Sequence, residues 1–150
     1  MSLFRTTLLI AASAVLLSAA PQTFGKPLTL KDADEVKIAD LVANPDKYNG
    51  QKVRVRGVVT WVCEKRGGTI RLAASKKEIP FKVPHDVIVF PVSIKGRRAV
   101  AEGVWTVRKL SVEDQVKEAK EHDHKVDAKT LKPRTMMHID GTEGGVELVP

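Results

Sequence analysis

Histidine and methionine residues in the C-terminal third have the spacing of small metal sites. His122 and His124 lie two residues apart, and imidazole is a good ligand for Cu(II) and Zn(II). Met136, Met137 and His138 add soft thioether ligands that suit Cu(I). In a strand, Met137 would face away from the other two, so these three cannot all reach one ion without a bulge. His122 and His124 are therefore the candidate copper or zinc ligands; the alternative is that both are solvated at a helix end.

Basic residues are concentrated in the middle of the chain. The net charge is +7, and residues 52–110 carry fourteen Lys and Arg against four Asp and Glu, whereas residues 21–51 and 111–150 are net acidic. A basic surface beside aromatic side chains can hold an anionic ligand. The candidate ligand-binding residues are Trp61, Lys65, Arg66, Arg71 and Lys82.

A solubility role is the alternative for this positive charge. Arg54 and Arg56 alternate with valines that would face a core, so they could form the solvated face of a half-buried strand. Trp61 and Trp105 lie in strong strand patterns and could belong to the core.

The sequence predicts no catalytic site. It contains no Gly-x-Ser-x-Gly elbow, His-Glu-x-x-His motif, P-loop or dinucleotide-binding glycine pattern. Ser111 is explained as a helix cap, and Cys63, the single cysteine, is expected to be a small buried residue. We therefore expect a non-enzymatic protein with no cofactor apart from the copper or zinc considered above.

Residues 1–20 have the features of a secretory signal peptide. After Arg5, an uncharged run of about 13 residues ends at Ser18 and Ala20, and this run is too short to span a membrane, which takes roughly 20 residues. Pro21 disfavours a cut after Ala20, so cleavage as late as Gly25 is the alternative. The mature protein is expected to be periplasmic or secreted, with no transmembrane segment, as a single domain of residues 21–150.

Hydrophobic periodicity predicts the elements of that domain. A short N-terminal helix is expected over residues 31–43 and a second helix over 111–121. Strands are expected over the ranges 53–63, with a bulge at Gly57, 69–73, 98–107, 135–140 and 146–149, the last two joined by a hairpin loop at 141–145. Residues 79–92 are interrupted by three prolines and are expected to form an edge or an excursion.

The order of these elements indicates a fold class. Three strands, one helix and two further strands predict a mainly β, OB-like five-stranded barrel with one helix between the third and fourth strands. A small open sheet with a helix packed on it is the alternative.

The segment 41–59 and the turn that follows it resemble a family of secreted bacterial proteins of uncharacterised function with an OB-like barrel. The similarity spans about residues 38–120, and its most specific part is the Cys-x-x-x-Gly turn at 63–67. Members of that family usually have Cys-Trp after this glycine, where the present chain has Gly68 and Thr69. The resemblance implies the fold but not the chemistry of a cysteine pair.

The function predicted from the sequence is an exported OB-like binding module. Its basic surface would hold an anionic envelope polysaccharide, a lipid head group or an acidic protein, and export argues against nucleic acid. The alternative is a periplasmic copper or zinc protein that uses His122 and His124.

Overall fold

The computed structural model of the protein describes residues 20–84 and 86–150, so the predicted signal peptide lies almost wholly outside the described residues. Within the described part, the chain is mainly β, with six strands and three short α-helices. The strands are β1 (Thr23–Gly25), β2 (Lys52–Val62), β3 (Thr69–Ala74), β4 (Lys77–Lys82), β5 (Arg98–Leu110) and β6 (Arg134–Val149). The helices are α1 (Ile38–Ala43), α2 (Pro45–Tyr48) and α3 (Val112–Glu121).

All six strands belong to one sheet, which is antiparallel except for one pair. β2 pairs with β3 and β5, β3 pairs with β4, and β6 pairs with β1 and β5, all antiparallel. The exception is β4, which runs parallel to β6 through the pairs Phe81–Ile139 and Lys82–Asp140. The pairings therefore run in a circuit from β2 through β3, β4, β6 and β5 back to β2.

The alternation of β2 places three of its valines in the core, and the predicted alternation of Val53 and Val55 with Arg54 and Arg56 is confirmed. Val53, Val55 and Val59 are buried, and Arg54 and Arg56 lie on the other face. The predicted bulge at Gly57 is wrong, because Gly57 keeps the alternation and pairs in register with Ala99. The irregularity lies further along, between Val59 and Trp61.

The N-terminal helix is shorter than predicted. Residues 38–43 are helical, but within the preceding segment only Asp32–Asp34 forms a single 3₁₀ turn. The amide of Val36 donates to the carbonyl of Arg54 over 2.8 Å, and Glu35 forms a parallel bridge with Arg54. Residues 35 and 36 thus lie along β2, and tertiary pairing overrides their helical periodicity.

The prolines of residues 79–92 do not exclude a strand. β4 contains Pro80 and pairs with β3 along its length, whereas its pairing with β6 begins at Phe81. β4 therefore has a neighbour on only one side at Pro80, where a missing N–H is tolerated. Because β4 is a strand, α3 follows β5, which is the fourth of the strands β2 to β6 in chain order. The prediction that this helix follows the third strand is wrong.

The predicted hairpin at 141–145 is also wrong, because β6 is one continuous strand. β6 pairs with β5 at Gly145–Glu102 and again at Asp140–Val104. Between these two pairs the sequence separation is five residues in β6 but only two in β5, so β6 bulges here. The glycines of this bulge allow close packing: a Cβ on Gly144 would lie 1.8 Å from the carbonyl oxygen of Glu102.

The core fills the space between the strands and α1. Ile38 and Leu41 of α1 are buried in it, and Trp105 is fully buried with its indole N–H donating to the carbonyl of Pro45 over 3.0 Å. The inward-facing strand residues include Val55, Val59, Ile70, Leu72, Ile79, Phe81, Ala101, Ile139, Val146 and Leu148. No helix among the described residues is long and apolar enough to cross a membrane.

Candidate functional site

Trp61 and Arg71 form an exposed stacked pair on neighbouring strands. They are register partners on β2 and β3, and the Arg71 guanidinium carbon lies 5.2 Å from the centroid of the Trp61 ring. Trp61 is 40% exposed, unlike Phe81 and Trp105. Arg71 also forms an ion pair with Glu78, at 3.3 Å. The Arg71 guanidinium and the Trp61 ring thus both lie at the surface, but the positive charge of Arg71 is partly neutralised by Glu78.

Lys65 and Arg66 lie in the turn between β2 and β3. This turn faces residues 86–92 across an open cavity of about 590 Å³. Glu64 and Asp86 also line the cavity, so among its described lining residues the two bases are balanced by two acids. The cavity therefore has little net positive charge with which to select an anion.

Cys63 lies at the start of the same turn and is half-buried, not fully buried as predicted. A hydrogen bond from the backbone amide of Arg66 lowers the pKa of its thiol, whereas burial acts in the opposite direction. Gly67 holds the turn against the facing loop: its carbonyl accepts the Phe90 amide at 2.9 Å, and a Cβ on it would lie 2.7 Å from Val89.

Lys82 lines another, smaller cavity with His138 and Asp140, of about 210 Å³. His138 is half-buried, and burial lowers its pKa; Lys82 lowers it further, and Asp140 opposes both. The five predicted ligand-binding residues therefore do not form a single site.

His122 and His124 both line a cavity of about 340 Å³ at the end of α3, together with Glu118. Within residues 20–84 and 86–150, however, no three His, Cys, Asp or Glu side chains gather as a metal site would require. His138 belongs to the cavity beside Lys82. Copper or zinc binding stays a prediction from the spacing of the two histidines.

Part of the positive charge of residues 52–110 is neutralised within the fold. Acidic side chains from both flanking segments fold back onto it, and Glu102 and Glu78 add pairs from within it. The ion pairs of the basic middle are Lys52–Glu102, Arg54–Asp32, Arg56–Glu35, Arg56–Asp32, Arg71–Glu78, Arg108–Glu118 and Lys109–Asp46. A binding surface must therefore be sought where cations outnumber nearby carboxylates.

Such an excess occurs at a cleft between residues 35–39 and the sheet, here called the α1–β2 cleft. The cleft has a volume of about 450 Å³. Its cationic side chains are Lys37, Arg56 and Arg98, which come from three different parts of the chain, and Glu35 is the single carboxylate among its described lining residues.

The three cations of the α1–β2 cleft differ in how they are engaged. Arg56 donates to Glu35 over 3.2 Å and is 45% exposed at its side chain. Lys37 and Arg98 are exposed and form no ion pair within the described residues. The cleft therefore keeps two uncompensated positive charges.

The floor of the α1–β2 cleft is apolar. Val58 is 38% exposed in the middle of the sheet, where it pairs with Ala73 on β3 and with Arg98 on β5. Gly57 beside it is needed for close packing, because a Cβ there would lie 2.9 Å from the Ala73 carbonyl oxygen and 3.2 Å from Ile38. A small residue at position 57 thus lets α1 approach the sheet and form one wall of the cleft.

Sequence reasoning missed this site because its parts are far apart in the chain. Alternation correctly placed Arg56 on the outer face of β2, but Lys37 reaches the cleft only because residues 35 and 36 lie along β2. The register that pairs Val58 with Arg98 is equally a product of the folded sheet.

A scan of protein-family models finds no match to this chain, and a search of curated proteins finds none either. The resemblance of residues 38–120 to a secreted bacterial family accordingly stays a prediction.

Proposed function

We propose that this protein is an exported, non-enzymatic binding module with an OB-like barrel, and that its α1–β2 cleft holds an anionic ligand of the cell envelope. The observation that carries the proposal is the excess of three cationic side chains over one carboxylate around an open cleft. Ligand pockets commonly combine an apolar lining with a few convergent polar groups, and this cleft has both.

The barrel part of the proposal is supported by the circuit of strand pairings. A barrel requires every strand of the ring to have a partner on each side, and each strand from β2 to β6 has at least two partners in the described sheet. The anionic class of ligand is supported by Lys37 and Arg98, whose charges are not neutralised by neighbours. An acidic polysaccharide, a lipid head group and an acidic protein all have the required charge.

The decisive experiment compares three double variants that each remove two positive charges. Lys37→Gln with Arg98→Gln alters the α1–β2 cleft, Lys65→Gln with Arg66→Gln alters the turn at 63–67, and Lys125→Gln with Lys129→Gln alters an exposed loop as the control. Binding to heparin and to vesicles containing phosphatidylglycerol is measured at several salt concentrations.

We expect the cleft variant to bind at least about tenfold more weakly at low salt, because a cation near an anionic surface contributes roughly 1 kcal/mol. Binding by the native protein should weaken as salt increases. Unchanged binding by the cleft variant, with loss in the turn variant, would move the site to Lys65 and Arg66. Absent or salt-insensitive binding by the native protein would reject the proposed function.

A further inference from the structure

The apolar floor of the α1–β2 cleft indicates that its ligand has an apolar part in addition to a negative charge. We infer that the cleft takes a single-chain amphiphile, with an anionic head near Lys37 and Arg98 and an apolar chain on the floor. This inference rests on the proposed function, because it assigns the chemical class of the ligand at the same site.

The lining of the cleft is the first argument for an apolar chain. Apart from its four charged residues and Ser75, the described lining is aliphatic or glycine, and its apolar residues that keep some surface in water are Val36, Ala39, Val58, Ala73 and Ala74. No aromatic side chain on which a sugar ring could stack is among these residues. A polysaccharide would leave this floor poorly matched, whereas a hydrocarbon chain would remove it from water.

The exposure of Val58 also favours an apolar ligand chain. This residue lies in the middle of β2 with a strand on each side, yet its side chain is 38% exposed, and it is among the few large apolar side chains that are exposed in the described chain. A single exposed valine would carry no meaning. Here, however, it lies in a concave site next to two unpaired cations, which complement a head of opposite charge.

The size of the cleft is the third argument. A volume of about 450 Å³ is within the range of roughly 300–1,000 Å³ found for small-molecule sites. Such a space fits a compact head with part of one chain. A polymer could place only one or two of its units there, so the cleft alone could not provide strong binding of a polymer.

The experiment uses three probes that separate head from chain. Decyl phosphate has both, inorganic phosphate has the head alone, and decyl maltoside has the chain with an uncharged head. Each is titrated into the mature protein by calorimetry below its micelle concentration. We expect decyl phosphate to bind at least about a hundredfold more tightly than inorganic phosphate, since each buried methylene contributes roughly fourfold, and more tightly than decyl maltoside.

Two variants with matched controls locate the binding. Val58→Ser makes the floor polar without changing charge, and its control is Val126→Ser, a similarly exposed valine between α3 and β6. Val58→Ser should weaken decyl phosphate binding severalfold and leave inorganic phosphate unchanged. Lys37→Gln with Arg98→Gln should weaken both phosphates.

The outcomes separate this inference from the proposed function. Equal affinities for decyl phosphate and inorganic phosphate, or an unaffected Val58→Ser variant, would overturn the amphiphile while leaving an anion site intact. If heparin displaces decyl phosphate from the cleft and binds more tightly than decyl phosphate does, the ligand is a polymer and the amphiphile is overturned as well. If the Lys37 and Arg98 variant changes the binding of no anionic probe, the proposed function fails as well.

Discussion

Glu102 is a buried carboxylate that ties the N-terminal segment to β5. It is 1% exposed, and it accepts hydrogen bonds from the amides of Thr29 and Leu30 and from the Thr29 hydroxyl at 2.7–3.1 Å. Lys52 forms an ion pair with it at 2.7 Å. Burial alone would raise the pKa of Glu102, but Lys52 and these hydrogen bonds together outweigh burial and lower the pKa to about 2. The charged form is thus the one that holds residues 29 and 30 in place.

Glu102→Gln should weaken this link between residues 29–30 and β5. The amide cannot form the ion pair, and one of its two terminal groups cannot accept hydrogen bonds, so we expect a loss of about 2 kcal/mol in the free energy of unfolding at pH 7. A carboxyl whose pKa is lowered by folding stabilises the protein above its unfolded pKa, near 4.5. That contribution is lost as the pH falls from about 4.5 towards 2.

Urea unfolding at a series of pH values measures this effect. The difference in the free energy of unfolding between the native protein and Glu102→Gln should be largest above pH 5 and should shrink as the pH falls towards 2. Glu121→Gln, at an exposed carboxylate, is the control and should change little at any pH. A gap that stays constant down to pH 2 would contradict an ionised Glu102.

At the scale of elements, β6 is where sequence and structure differ most. The three glycines in residues 141–145 are typical of a hairpin loop. In the structure they instead allow neighbouring parts of the chain to pack closely against β6. A Cβ on Gly141 would lie 2.2 Å from the ring of Phe81, and one on Gly145 would lie 2.0 Å from the Lys26 carbonyl oxygen. β6 can therefore contact β5, β4 and β1 in one bent strand.

Gly144→Ala tests this interpretation of β6. Because the new methyl would lie 1.8 Å from the Glu102 carbonyl oxygen, backbone must shift, and we expect a loss of more than about 3 kcal/mol or a failure to fold. Glu143→Ala is the matched control, since it introduces the same residue at an exposed neighbouring position whose ion pair with Lys26 is solvated. Soluble yield and urea midpoints of the two variants provide the comparison. Equal tolerance of both would instead indicate an open hairpin loop.

Local signals predicted the elements whose residues need only near neighbours. The valine alternation of β2, the strands β3 and β5, and α3 with its Ser111 cap were all recognisable. In α3 the Ser111 hydroxyl accepts the Asp114 amide at 3.0 Å, an arrangement set by four consecutive residues. Local signals failed where distant backbone intervenes, as at Val36, which pairs with Arg54, and at the glycines of β6. The α1–β2 cleft belongs to this second group, because it forms only when residues 35–39, β2, β3 and β5 meet.

At the scale of the whole molecule, charge segregation along the chain is partly offset by folding. Asp32 and Glu35 from the first segment pair with Arg54 and Arg56, and Glu118 from the last pairs with Arg108. Most of these pairs are solvent-exposed and contribute little to stability. Among the cations that remain without an ion pair in the described residues, Lys37 and Arg98 are far apart in the chain but lie together at the α1–β2 cleft.

The N-terminal segment gives the last prediction, which concerns the start of the mature chain. β1 pairs with β6 from Thr23–Glu147 to Gly25–Gly145, and the Leu148 amide donates to the Gln22 carbonyl over 2.8 Å. The Phe24 ring packs 5.5 Å from that of Phe90. A cut after Gly25 would remove all these contacts, whereas a cut after Ala20 would preserve them.

We therefore expect cleavage of the predicted signal peptide to leave a chain that begins at Pro21, even though proline is an unfavourable residue after a cleavage site. Mass spectrometry of protein recovered from the periplasm or medium of a bacterial host identifies the first residue. Chains starting at Pro21 and at Lys26 are then compared by thermal unfolding. The shorter chain should lose at least about 2 kcal/mol, since it no longer buries Phe24 against the core, which lowers Tm by several degrees in a domain of this size. A mature chain that begins at Lys26 with an unchanged Tm would mean that β1 is part of the signal segment and not of the folded domain.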